Sequence, residues 1–179
     1  GLIAGIGAYL NKALPNVKII GVEAADSAGL HASVKAGKRI KLKEVGLFAD
    51  GAAAKQIGKN NYELIKNFLD DSITVDTDEI CAAVKDTFLE TRTVPEPTGA
   101  LALAGLKKYI GQKRIKNKNL IATYCGSNLN FESLGHIVER SKIGEKKEII
   151  LSIAIDEKKG SFRKLCKDIG QKNITEFSY

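Results

Sequence analysis

The sequence predicts an α/β fold built on an open, mostly parallel sheet. Short β-rich runs at 17–23, 72–75 and 120–124 alternate with helical stretches of ten or more residues. Connections of that length return a chain to lay the next strand parallel to the last. Two of the runs, 17–23 and 120–124, carry the apolar content of strands covered on both faces.

Each element has its own signal. Residues 1–10 are apolar and small, with Gly1, Gly5 and Gly7 spaced to let a helix pack closely, and Pro15-Asn16 ends the segment. Val17, Ile19, Ile20 and Val22 then centre a buried strand. A polar helix over 26–36 follows, and 37–51 reads as irregular apart from one alternating run at 39–42. Residues 52–69 hold helical segments interrupted near Gly58, and 72–75 is a short strand. Asp76, with Glu79 three residues on, forms the pattern of a capping box for a helix over 77–90. Pro95 and Pro97 punctuate the next boundary. The helix over 98–110 ends in Lys107, Lys108 and Gly111, which suits the negative end of its dipole. The strand 120–124 closes in the polar turn Cys125-Gly126-Ser127-Asn128.

A change of character falls at 141–147, where Gly144 and several charges suggest a linker. Beyond it the pattern is strand 148–155, amphipathic helix 160–169 and strand 173–179. One such β-α-β unit cannot bury both faces of a sheet, so it reads as half of a domain.

Composition narrows the function classes. The 179 residues are 44% hydrophobic and 27% charged, as in globular chains, and suffice for one domain or one larger piece with a small one. Apolar runs fall short of the roughly 20 residues a membrane span needs. The start on Gly-Leu-Ile, without Met or a basic leader, suggests a chain cut from something longer. The net charge of +7 is mostly lysine interleaved with acids. The densest cluster, 107–118, holds a single aromatic, Tyr109, so a solvated surface is expected and no nucleic-acid partner. Cys81, Cys125 and Cys166 are odd in number and widely spaced, which fits a reduced cytosolic protein. With only His31 and His136 beside them, no zinc site is expected.

Six segments resemble one family in order and spacing. They are Gly1-Leu2-Ile3-Ala4-Gly5; Gly46-Leu47-Phe48-Ala49-Asp50-Gly51-Ala52-Ala53; Val75-Asp76-Thr77-Asp78-Glu79-Ile80; Glu96-Pro97-Thr98-Gly99-Ala100-Leu101-Ala102; Tyr124-Cys125-Gly126-Ser127-Asn128-Leu129-Asn130-Phe131; and Glu157-Lys158-Lys159-Gly160-Ser161-Phe162. Thr175-Glu176-Phe177-Ser178-Tyr179 fits the same family. The chain resembles the carboxyl-terminal part of biosynthetic threonine deaminases, fold-type-II (tryptophan synthase β-like) pyridoxal 5'-phosphate enzymes. The resemblance implies that residues 1–140 belong to a catalytic domain and 148–179 to the first half of an ACT-like regulatory domain. It implies conversion of L-threonine, with L-serine as a second substrate, to the 2-oxo acid and ammonia on the path to isoleucine. It also implies isoleucine and valine as effectors, a homo-oligomer (a tetramer) and a cytoplasmic setting.

The resemblance assigns cofactor-binding roles to Gly1, Leu2, Gly51, Glu96 and Cys125. Gly1 and Leu2 would close a phosphate loop at a helix N-terminus, where backbone N–H groups receive an anion. Cys125 stands where relatives place Ser or Cys beside the pyridine nitrogen; a neutral thiol there leaves the ring a modest electron sink, enough for β-elimination. Its S–H is a weaker partner than a serine hydroxyl. Glu96 would lie near the cofactor face, although a carboxylate opening a helix favours the dipole in any protein. Gly51 would admit the backbone close to the ring, yet Asp50-Gly51 is also an ordinary turn pair. Cys125 also reads as a buried strand-end cysteine.

No residue of this chain is expected to be catalytic. The lysine that bonds the cofactor, in a Ser-x-Lys-x-Arg type segment, does not occur, and neither does the Ser/Asn loop for the substrate carboxylate. Lys55 has an apolar context but no motif. Related racemases begin a divalent-metal site at the position of Glu23; here Ser27 and Gly29 replace the later ligands, so no metal is expected. Gly160-Ser161-Phe162 is the turn where an ACT-like fold would receive an amino acid. Other readings are a catabolic serine/threonine dehydratase or racemase, a non-catalytic amino-acid-sensing fragment, and a nucleotide-binding α/β domain, the last without a complete phosphate loop.

Overall fold

The computed structural model describes residues 1–178 and divides into two compact units, Gly1–Glu148 and Ile149–Tyr179. In the first unit, helix α1 (Leu2–Ala13) leads into strand β1 (Ile20–Ala24), a short 3-10 turn (Ala25–Ser27) and helix α2 (Gly29–Ala36). After an irregular stretch and a second 3-10 turn (Asp50–Ala52) come α3 (Lys59–Ile65), β2 (Asp71–Val75), α4 (Thr77–Thr91), α5 (Pro97–Lys113) and α6 (Ser133–Gly144). The two strands pair in parallel, with Ile20 opposite Asp71 and Ala24 opposite Val75.

Side-chain alternation along the strands divides the core in two. Val22, Ala24 and Val75 pack with Ile80, Cys81, Val84, Ala100, Leu101, Ala104 and Ile137 from α4, α5 and α6. On the other face Leu30 and Ile65 pack with Ala4, Ile3, Phe68 and Leu69. The sheet therefore carries helices on both faces, but only one face of its strands is apolar: Gly21, Glu23, Ser72 and Thr74 line the other, where Leu30, Leu69 and Ile3 lie against Gly21. Of the small residues in α1, Gly7 is the one that serves close packing: the Phe68 ring occupies the space a side chain would need, whereas nothing lies near Gly5.

The capping box is present in full. The Glu79 N–H donates to Asp76 Oδ1 at 2.8 Å and the Asp76 N–H to Glu79 Oε2 at 2.9 Å. Helix α5 starts one residue before the expected bound, with Pro97 at its first position, where its fixed φ suits a helix start. It does not stop at Gly111, however. It continues to Lys113 and closes on Arg114 in the left-handed conformation (φ 51°), because a single exposed glycine costs only about 1 kcal/mol, too little to end a well-packed helix.

Three expected strands do not form among the described residues. Residues 120–124 are irregular and Ile121 is 91% exposed. Residues 148–155 and 173–178 have no ladder either, and Tyr179 lies outside the described residues. A strand is stabilised by its neighbour, and an apolar run with no partner has nothing to pair with. Within the stretch 141–147 read as a linker, Ser141 and Gly144 belong to α6, and Ser141 is buried. The apolar spacing Leu134, Ile137, Val138 is helical, but the next position of that face is the polar Ser141 and polar neighbours mask the pattern.

In the second unit, helix α7 (Ser161–Ile169) is opened by Gly160 at φ 92° and followed by Gly170. Phe162 meets Phe177 edge-on at 5.4 Å. Ile149, Ile150 and Leu151 are exposed.

Candidate functional site

Parallel strands flanked by helices on both faces place ligand groups where the strands end at their carboxyl sides. A cleft of about 120 Å³ lies there, lined by Ala24, Ala25 and Asp26 after β1, Val75, Asp76, Thr77 and Ile80 after β2, and Phe48 and Ala49 from the irregular stretch. Phe48 and Ala49 run directly into Asp50 and Gly51.

Gly51 is the first predicted residue that the structure brings into a cluster. Its α-carbon lies against Thr98: a side chain there would come within 3.0 Å of the Thr98 hydroxyl. Thr98 is in the first turn of α5, next to Glu96, the N-cap residue. The opposite end of α5 carries Lys113, paired with Asp71 at the start of β2, so the N-terminus of α5 points toward the strands' carboxyl ends.

The turn at Cys125 and Gly126 sits on that N-terminus. The Glu96 N–H donates to the Gly126 carbonyl at 3.2 Å. A β-carbon at Gly99 would stand 1.9 Å from the Cys125 carbonyl, and one at Gly126 would stand 2.2 Å from Glu96 Oε1. Gly126 also has φ 81°, a conformation that side chains resist. The two glycines thus let a turn and a helix end meet backbone to backbone, fixing Cys125 relative to Glu96. Cys125 itself is exposed, not the buried strand-end cysteine of the alternative reading.

Thr98 is the residue sequence reasoning passes over. Its Oγ1 is buried with no hydrogen-bond partner among the described residues, an arrangement that is costly unless a further group supplies one. It lies within the Glu96–Ala102 segment, but a threonine in a first helical turn carries no distinguishing signal.

Gly1 and Leu2 stand apart from this cluster. They open α1, whose Gly1 cap offers no side-chain bond to the first N–H groups. Helix α1 ends where Asn11 and Pro15 line a groove with Lys18 and Asp70, ahead of both strands. It therefore runs against β1, and its N-terminus also points toward the strands' carboxyl ends.

Glu23 is engaged in structure. Its carboxylate accepts the N–H groups of Leu30 (2.9 Å) and His31 (2.7 Å), capping α2. Burial raises its pKa from the ordinary carboxylate value, and the two backbone bonds oppose that. Lys55 is exposed. Gly160, Ser161 and Phe162 open α7 as the turn reading expects, although the strand before them does not form.

Fold and site together define a class: an α/β protein with helix N-termini and a polar turn gathered at the end of a parallel sheet. Residues 1–126 match the family of pyridoxal-phosphate-dependent enzymes, and the chain belongs to that family. Residues 139–179 match the C-terminal regulatory domain of threonine dehydratase. Over 179 residues the chain is 47% identical to the biosynthetic L-threonine dehydratase of Burkholderia multivorans, and all of it is covered. It is 49% identical over 181 residues to the mitochondrial threonine dehydratase of Schizosaccharomyces pombe. It spans 35% and 30% of those two relatives, about a third of each. Among solved structures, the processed form of threonine deaminase isoform 2 from Solanum lycopersicum matches with a TM-score of 0.76 and 37% identity. That match covers 78% of this chain and 41% of the other. The fold-type-II architecture is thereby established, with a regulatory-type segment following it.

Proposed function

We propose that this chain is part of a pyridoxal-phosphate-dependent threonine dehydratase that converts L-threonine to 2-oxobutanoate and ammonia. The observation that carries the reading is the order of the two family matches, 1–126 and then 139–179, within a chain 47% identical throughout to a biosynthetic threonine dehydratase. When bound, the cofactor supplies the electron sink that lets the threonine α-proton and β-hydroxyl depart.

The residues present fit such a group. The Thr98 hydroxyl is a buried donor awaiting a partner. Cys125 offers an exposed thiol, and the Gly126 turn that follows it rests on Glu96 at the N-terminus of α5. Gly51 keeps the backbone next to Thr98 free of a side chain. At the start of α1, which has no side-chain cap, Gly1 and Leu2 would present backbone N–H groups to the cofactor's phosphate. These residues bind and orient. The bond-making lysine belongs to the rest of the protein, and residues 1–179 alone are proposed to be inactive.

We further propose that residues 148–179 are the first half of an ACT-like domain that responds to isoleucine and valine. The intact protein would be a cytoplasmic tetramer. No helix among the described residues is long and apolar enough to cross a membrane. The test is intact mass combined with the visible absorbance of bound cofactor and a 2-oxobutanoate assay. A polypeptide larger than 19.3 kDa, or one with a partner chain, is expected to absorb and turn over threonine. Turnover by the 179-residue chain alone would overturn the placement of the lysine elsewhere.

A further inference from the structure

The cleft has two side walls, Phe48 and Ala49 on one side and Asp76, Thr77 and Ile80 on the other. One helix outside the cleft touches both. On α6, the His136 ring meets Phe48 edge-on at 5.8 Å. One turn later, Arg140 Nε forms a close ion pair with Asp78, the residue after Thr77, although neither atom completes a well-directed hydrogen bond. Positions four apart share one helix face, so both grips belong to the same side of α6. Between them Ile137 is buried in the same core as Ala49 and Ile80. A turn further on, the Gly144 α-carbon lies so near the Asp78 carbonyl that a β-carbon would stand 2.0 Å from it. Seated this way, α6 cannot move without moving the first turn of α4. The match to the regulatory domain begins at 139, inside α6 and between the two gripping residues.

We infer that His136 and Arg140 are positioning residues that set the two walls of the cleft, and that regulation of the reaction passes through them. The inference rests on the threonine dehydratase reading above. A packed helix with contacts on both walls transmits a displacement to both at once, since close-packed cores shift as units rather than deform continuously.

The test uses the full-length protein carrying H136A, R140Q and the conservative H136F. Amide exchange reads the walls without any reaction. Exchange at 48–49 and 76–80 is expected to quicken about tenfold in H136A and R140Q while the β2 amides stay protected. The KM for threonine is expected to rise about threefold with kcat nearly constant, and H136F to restore it. The isoleucine concentration giving half-inhibition is expected to shift about fivefold or more. Folded variants with unchanged exchange and KM would overturn the positioning roles, and an unshifted isoleucine response would overturn the regulatory route. Should the parent protein not turn over threonine, the functional assignment fails and the exchange data alone decide the positioning roles.

Discussion

At the scale of single residues, neighbours decide what otherwise identical side chains can do. Cys81 is buried in α4, and burial, reinforced by the Asp78 charge, pushes its thiol up to about 12. Cys125 and Cys166 are exposed. Since the thiolate is the reactive form, a thiol-specific reagent is expected to modify Cys125 and Cys166 in the folded protein and Cys81 only after denaturation. Rapid labelling of Cys81 would place it outside the core. Gly126 is constrained twice, by its positive φ and by the Glu96 carboxylate where a side chain would stand. Gly126→Ala is therefore expected to displace Glu96 from Cys125 and, in the full-length protein, to weaken cofactor affinity by about tenfold or more, as strain of about 1–3 kcal/mol implies. Titration of the apo-protein followed by cofactor absorbance measures this, and an unchanged affinity would remove Glu96 and Cys125 from the binding role.

At the scale of elements, α4 shows local sequence and tertiary contacts reinforcing one another. Asp76 and Glu79 close the capping box, and Glu79 also accepts from Lys108 of α5 at 2.8 Å. Asp76→Ala is expected to cost about 1 kcal/mol of stability, read as a lower urea midpoint at unchanged m-value. A loss several times larger would mean that Asp76 holds the cleft as well as the helix. Farther along, α4 is clamped to the end of α6 by Lys85 and Glu145, paired at 2.8 Å. Lys85 and Lys147 hold the Glu145 carboxyl below its ordinary range. That contribution is present at neutral pH and is lost as acid protonates the carboxylate.

At the scale of the whole molecule, the two units differ in what protects their backbones. The first has two apolar clusters against a paired sheet. The second has one helix with no buried residue and no ladder among its described residues. Amide exchange in 149–178 of this chain is expected to outpace that in β2 and α4 by orders of magnitude, because opening there exposes little apolar surface. Comparable protection in both regions would show that the second unit has a stable core of its own.

Local signals in the sequence determined the elements whose stability is local. The capping box started α4 at Thr77, Pro97 opened α5, and the strands β1 and β2 were legible within a few residues of their observed bounds. Motifs in order identified the pyridoxal-phosphate family, and Gly51, Glu96 and Cys125 fell within one cluster. Tertiary structure alone decided the rest. Apolar runs at 120–124 and 148–155 are strands only when another strand pairs with them, and no pattern within a segment reveals its partner. Helix α6 is recognisable because α4 and Phe48 receive it, and the unpaired Thr98 hydroxyl becomes visible once Gly51 and α5 enclose it. Capping and helix breaking act over three or four residues, whereas pairing, burial and unmet hydrogen bonds depend on groups distant in the chain.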